Sequence, residues 1–101
     1  MATLKQPPAY SGIIDDRPFE LHIVSRSQLP RRHWGLTIVP SREAEPYRCL
    51  VRRDLSRRNI VATIIHEILH VADYAKDEWW VDVTATQITR ALLAVENDAP
   101  T

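Results

Sequence analysis

The residues His66-Glu67-Ile68-Leu69-His70 are the part of this 101-residue chain best suited to chemistry. Two histidines four apart on a helix project the same way and can grip one zinc ion, and an acid one step after the first sits beside a metal-bound water. At ordinary residue frequencies the pattern arises by chance in about one chain in a few hundred of this length. Its setting adds weight, because an apolar run with helical spacing leads into it and an acidic second helix follows.

A catalytic zinc usually takes three protein ligands and keeps a fourth position for water, so the two histidines require one more. Cys49 is the only cysteine, which rules out an internal disulfide and a cysteine-rich zinc site. The third ligand must therefore be a carboxylate or another histidine. Glu78 and Asp82 lie four apart on one stripe of the following helix and can both turn toward the histidines if the two helices pack as an antiparallel pair. The expected division of labour is Glu78 on the metal and Asp82 accepting a hydrogen bond from the distal nitrogen of a ligand histidine. Asp82, Asp73 and Asp77 are the alternatives as ligand. Glu67 would act as general base for an attacking water, and Tyr74, one turn beyond His70, is the nearest candidate oxyanion donor. Tyr47 and His33 could serve only if a sheet carries them across, and His22 and His33 read as structural or solvent-facing. Trp79 and Trp80 are expected to pack the helix junction, the alternative being that one of them walls the substrate cleft.

The elements that must position these groups are short. Asp54 or Ser56 can cap a helix running to about Ala75, whose apolar positions Ile60, Val61, Ile64, Ile65, Ile68, Leu69 and Ala72 centre on one side, with His66, Glu67, His70 and Tyr74 on the other. Asp77 can cap a second helix from Glu78 to about Val95, with an apolar stripe of Val81, Ala85, Ile88, Ala91, Leu92 and Val95. Upstream, Phe19 to Ser25, Trp34 to Val39 and Tyr47 to Arg53 have strand character, separated by loops containing Pro30, Pro40 and Pro46. The expected fold is α+β: a small antiparallel sheet of about three strands packed on two helices. Residues 1–12 read as a flexible leader, 13–96 as one domain and 97–101 as a fraying tail.

The net charge of zero conceals a division. Through residue 60 there are eleven Lys and Arg against six Asp and Glu, and from 61 onward two against seven. The pairs Arg31/Arg32, Arg52/Arg53 and Arg57/Arg58 are not interleaved with a recognisable nucleic-acid motif, so a solvated basic face is the plainer reading. No stretch approaches the length of a membrane span, and Lys5, Gln6, Pro7 and Pro8 lack the apolar core of a secretory signal, which points to the cytoplasm and to no membrane partner. Nothing in the sequence fixes an oligomeric state.

The stretch Ile64-Ile65-His66-Glu67-Ile68-Leu69-His70 followed by Asp77-Glu78-Trp79-Trp80-Val81-Asp82 resembles the small zincin-like metallopeptidases of tailed phages and prophages, over about residues 47–95. The resemblance implies a minimal zincin-like domain with a strand leading into the motif helix. It places Glu78 and Asp82 at the acidic positions of that group, in the Glu-zincin manner of a ligand glutamate with an aspartate four residues later. Two departures stand out. Only seven residues separate His70 from Glu78, and Asp73 stands where metzincins carry a turn-forming glycine, which argues against a metzincin. The implied function is zinc-dependent hydrolysis of a peptide or protein substrate, in a host cytosol if the chain is phage-encoded. The alternative is a non-enzymatic, zinc-stapled module whose arginine-rich half contacts nucleic acid or a protein.

Overall fold

The computed structural model describes residues 6–98 and has the expected α+β class. Four strands, β1 (Tyr10–Ile14), β2 (Arg17–Val24), β3 (Gly35–Ile38) and β4 (Tyr47–Arg52), precede two helices, α1 (Arg57–Ala72) and α2 (Glu78–Asp98). The sheet order is β1-β2-β4-β3. β1 pairs antiparallel with β2 and β3 antiparallel with β4, whereas β2 and β4 run parallel. The sheet is therefore mixed and has one strand more than expected.

The additional strand occupies part of the segment read as a leader. Ile14 pairs with Arg17 across a two-residue turn, and both turn residues, Asp15 and Asp16, have positive φ, 50° and 62°. That is the backbone of a type I′ hairpin turn, whose twist matches that of the flanking strands. Asp tolerates the left-handed region better than most residues, but a glycine is the usual signal and none is present here. Residues 1–5 and 99–101 of the expected leader and tail lie outside the described residues. Residues 97 and 98 extend α2 rather than a tail, and Glu96 forms an ion pair with Arg57 at 2.5 Å.

Alternation along the strands divides the interior in two. Phe19, Leu21, Cys49 and Val51 project to the side that α1 covers with Val71, Ile60, Ile64 and Ile68. Val24 and Leu50 project to the other side, where Leu29, Leu36 and Ile38 close a smaller cluster. Ser56 caps α1, its hydroxyl accepting from the Asn59 amide, and the helix ends at Ala72 rather than near Ala75. Arg17 fixes that end, donating from Nη1 to the carbonyls of Ala72 at 2.8 Å and Val71 at 3.3 Å. A guanidinium there satisfies two carbonyls that the helix leaves unpaired.

Glu78 meets the C-terminal turns of α1 while Glu96 meets its start, so the two helices are antiparallel. The connector is only Asp73 to Asp77, and an aspartate closes each end. Asp73 Oδ1 accepts from the Ala75 amide at 3.1 Å, and Asp77 Oδ1 from the Trp80 amide at 2.8 Å, the expected cap of α2. The apolar stripe of α2 is buried only near its beginning: Val81 and Ala85 are enclosed, while Ile88, Leu92 and Val95 are exposed, Val95 by 70%.

Candidate metal centre

Placing α1 between the sheet and α2 changes which of its faces is enclosed. The buried residues of α1 are Thr63, Glu67 and Val71, each four apart. The expected apolar positions are only partly buried, and Glu67 does not share an open face with Tyr74. It points instead toward the edge strand β3, with only 6% of its surface exposed. Burying a carboxylate is costly unless hydrogen bonds replace its water. Thr37 supplies one, donating from Oγ1 to Glu67 Oε1 at 2.8 Å. The same hydroxyl lies 3.1 Å from the Glu67 carbonyl, and the shorter distance assigns its single proton to the carboxylate. Desolvation raises the pKa of Glu67 above the ordinary carboxylate value, while the Thr37 hydrogen bond and the neighbouring His66 and His70 pull it back.

Gly35 makes the approach of β3 possible. A Cβ there would lie 2.7 Å from Thr63 Cγ2 and 2.8 Å from Glu67 Oε2. A methyl group would therefore displace the Glu67 carboxylate, and the requirement for glycine is one of space.

One helical turn relates His66 to His70, and their Nε2 atoms converge to 3.2 Å. Glu78, in the first turn of α2, sets its carboxylate across both: Oε1 is 2.8 Å from His70 Nε2 and Oε2 is 3.2 Å from His66 Nε2. Asp82 lies one turn further and reaches the opposite nitrogen, with Oδ1 at 3.2 Å from His66 Nδ1. His66, His70 and Glu78 thus offer three ligand atoms within 4.8 Å of one another. Ligand atoms about 2.0–2.1 Å from a tetrahedral zinc stand roughly 3.3 Å apart, so the spacings here suit such an ion with little rearrangement. The carboxylate and imidazole donor set suits zinc as well. An aspartate on the outer nitrogen of a ligand histidine is the usual support for orientation and tautomer. His70 has no such support: its Nδ1 is buried without a protein partner among the described residues.

The remaining expected residues fall in different places. Tyr74 is 57% exposed, with its ring centroid 6.0 Å from that of His70. Asp73 and Asp77 serve the connector and are not part of the cluster. Tyr47 packs against the larger core, His33 is exposed with Nδ1 3.3 Å from the Arg31 carbonyl, and neither borders the site. His22 is buried and paired with Glu20 at 3.0 Å, a structural arrangement. Trp80 is half-buried under Lys76, whose Nζ lies 5.1 Å from the ring centroid, but Trp79 is exposed and does not pack the junction.

A cavity of about 370 Å³ opens beside the cluster, between α1, α2 and β3. His66, Glu67 and Asp82 border it on the side of the histidine cluster, Gly35 and Trp34 on the strand side, and Arg58, Asn59 and Thr86 further along the helices. The aromatic wall is thus Trp34, not Trp79 or Trp80. Trp34, Thr37 and Gly35 escaped the sequence reading because nothing local in β3 reports which helix it will border. Gly35 inside a strand was the available signal, since such a glycine often marks close approach of another element. Comparison with protein-family models, curated proteins and solved structures finds no match for this chain.

Proposed function

We propose that the chain is a zinc-dependent metallopeptidase of the small zincin-like, Glu-zincin type, with His66, His70 and Glu78 as metal ligands and Glu67 as general base. The observation that carries this reading is the joint position of two groups. Two imidazoles and a carboxylate converge at zinc-like spacing, and Glu67, unnecessary for holding a metal, borders the same cavity as His66.

Zinc at these ligands would polarise a peptide carbonyl and make a bound water acidic enough to attack it near neutral pH. The chain's own groups account for the rest. Glu67 accepts the proton of the attacking water and delivers it to the departing amine. Thr37 and the close backbone at Gly35 keep its carboxylate from swinging away, so the base needs little reorganisation. Asp82 holds His66 in the tautomer that leaves Nε2 free to bind. Tyr74 is the candidate donor to the developing oxyanion.

The alternative of an arginine-rich binding module has less support. Arg52 is paired with Asp54 at 2.8 Å, Arg53 donates to the Ile23 carbonyl at 3.1 Å, and Arg57 is paired with Glu96. Part of the basic charge of that half is thereby taken up internally. No described helix is long and apolar enough to cross a membrane. The cytoplasmic location belongs to this same proposal.

The test is elemental analysis with metal titration. The purified protein should bind close to one zinc per chain, and His66→Ala and His70→Ala should each abolish tight binding. Absence of zinc from wild type after zinc-supplemented expression and titration would overturn the proposal.

A further inference from the structure

Resting on the peptidase reading, we propose that the cavity beside His66 and Glu67 is a substrate pocket that selects a carboxylate, with Arg58 as the residue that reads it. The cavity is polar at both ends and its charge is arranged along α1. Glu67, His66 and Asp82 lie at the metal end, and Arg58 lies eight residues, about 12 Å of helix rise, from His66. Between them the walls are Thr63, Ala62 and Asn59 on α1 and Ala85, Thr86 and Thr89 on α2. Threonine methyls, alanines and the Trp34 ring suit the aliphatic stem of a substrate side chain, while the hydroxyls and Asn59 suit a polar tip.

Among the described residues Arg58 is the only lysine or arginine bordering this space, and His66 is engaged with Glu78 and Asp82. Its neighbour Arg57 is committed to Glu96, but Arg58 has no ion pair or side-chain hydrogen bond among the described residues. An arginine presents a planar fork of donors that a carboxylate accepts in two parallel hydrogen bonds, which neither an amide nor an ammonium can do. The volume accommodates one amino-acid side chain with its flanking backbone rather than a folded partner. A carboxylate can reach Arg58 from two sources, the side chain of an internal Asp or Glu near the scissile bond or the C-terminus of the peptide.

The experiment uses peptide sets that differ only at positions flanking one cleavable bond, carrying Glu, Gln or Lys, each with a free-acid or amidated C-terminus. Cleavage is measured with zinc-loaded wild type, Arg58→Gln and Arg58→Glu. Equilibrium binding to the corresponding zinc-loaded proteins carrying Glu67→Gln is measured in parallel by tryptophan fluorescence. Charge-assisted pairing predicts that wild type prefers Glu over Gln by about tenfold to a hundredfold in kcat/KM and in affinity. Arg58→Gln should erase that preference, and Arg58→Glu should transfer it to Lys. If the preference follows the free C-terminus and not the internal residue, the carboxylate read is the terminal one and the pocket assignment stands. Cleavage without any Arg58-dependent preference would overturn the pocket while leaving the peptidase intact. Arg58-dependent binding without cleavage would support the pocket and overturn the peptidase, and a protein that neither binds nor cleaves any set overturns both.

Discussion

Thr37 Oγ1 lies 2.8 Å from Glu67 Oε1, so an edge-strand hydroxyl holds the acid of the HExxH motif. The two residues are thirty apart in sequence and meet only because β3 borders α1. Replacing Thr37 by Val keeps the shape and leaves the buried carboxylate short of a donor. Thr37→Val should lower stability by about 1–3 kcal/mol and reduce kcat of the proposed peptidase activity more than it raises KM. Thr37→Ser, which retains the hydroxyl, should recover most of both. Denaturant unfolding and steady-state kinetics on the three proteins check this, and equal damage from Val and Ser would exclude the hydroxyl as the cause.

Gly35→Ala tests the close approach on the other carboxylate oxygen. The added methyl would stand within 3.0 Å of Glu67 Oε2, Glu67 Cγ and Thr63 Cγ2, so strand and helix must separate or Glu67 must move. The expected cost is about 1–3 kcal/mol of stability. On the proposed mechanism activity should fall further than zinc affinity, because Glu67 is displaced and His66, His70 and Glu78 are not. A melt and a zinc titration on the same sample separate the two effects.

Much of this site was legible in the sequence, for a physical reason. His66, Glu67, His70, Glu78 and Asp82 lie on two consecutive helices, and helical spacing alone brings i and i+4 together. The short connector with an aspartate at each end then forces an antiparallel return. What depended on non-local pairing was not legible. The parallel register of β2 with β4 follows from β3 taking the edge position beyond β4, which no local pattern encodes. The β1–β2 hairpin was hidden because Asp15 and Asp16 adopt positive φ without a glycine. Glu67 was expected on an open face, since the apolar stripe of α1 suggested a single buried side, whereas α1 is enclosed by the sheet and by α2. Of the apolar stripe of α2, only Val81 and Ala85 lie in the enclosed part of the helix pair.

Glu78 and Asp82 should differ in what their loss does to zinc. Glu78 faces the Nε2 atoms of both histidines and Asp82 faces only the outer nitrogen of His66. Glu78→Ala should nearly abolish zinc binding, while Asp82→Ala should weaken it about 10 to 100-fold. Competition with a zinc-sensitive chelating dye measures both constants. A larger loss in Asp82→Ala would exchange their roles.

Cys49 offers a check on the fold by pH. The thiol is fully enclosed between β4 and α1, and burial pushes its pKa up to about 11 from 9.0. A raised thiol pKa favours the neutral form in the folded state, so its stabilising contribution is complete below pH 9.0 and is lost as pH rises toward about 11. Wild type should therefore lose stability relative to Cys49→Ala across that interval, although Cys49→Ala is less stable at neutral pH because it leaves a small void. Parallel denaturant titrations at several pH values test the sign.

In the proposed mechanism Glu67 performs the chemistry while other residues hold the metal, and Glu67→Gln tests that division directly. The amide keeps the size of the side chain and its ability to accept from Thr37, but it cannot take a proton from water. Zinc content should remain near one per chain, and the melting temperature, with its fall on chelation, should stay close to wild type. Hydrolysis of a denatured protein or peptide library should drop by about 10² to 10⁴, below detection for a slow enzyme. Undiminished cleavage by a zinc-loaded Glu67→Gln protein would contradict the assigned mechanism.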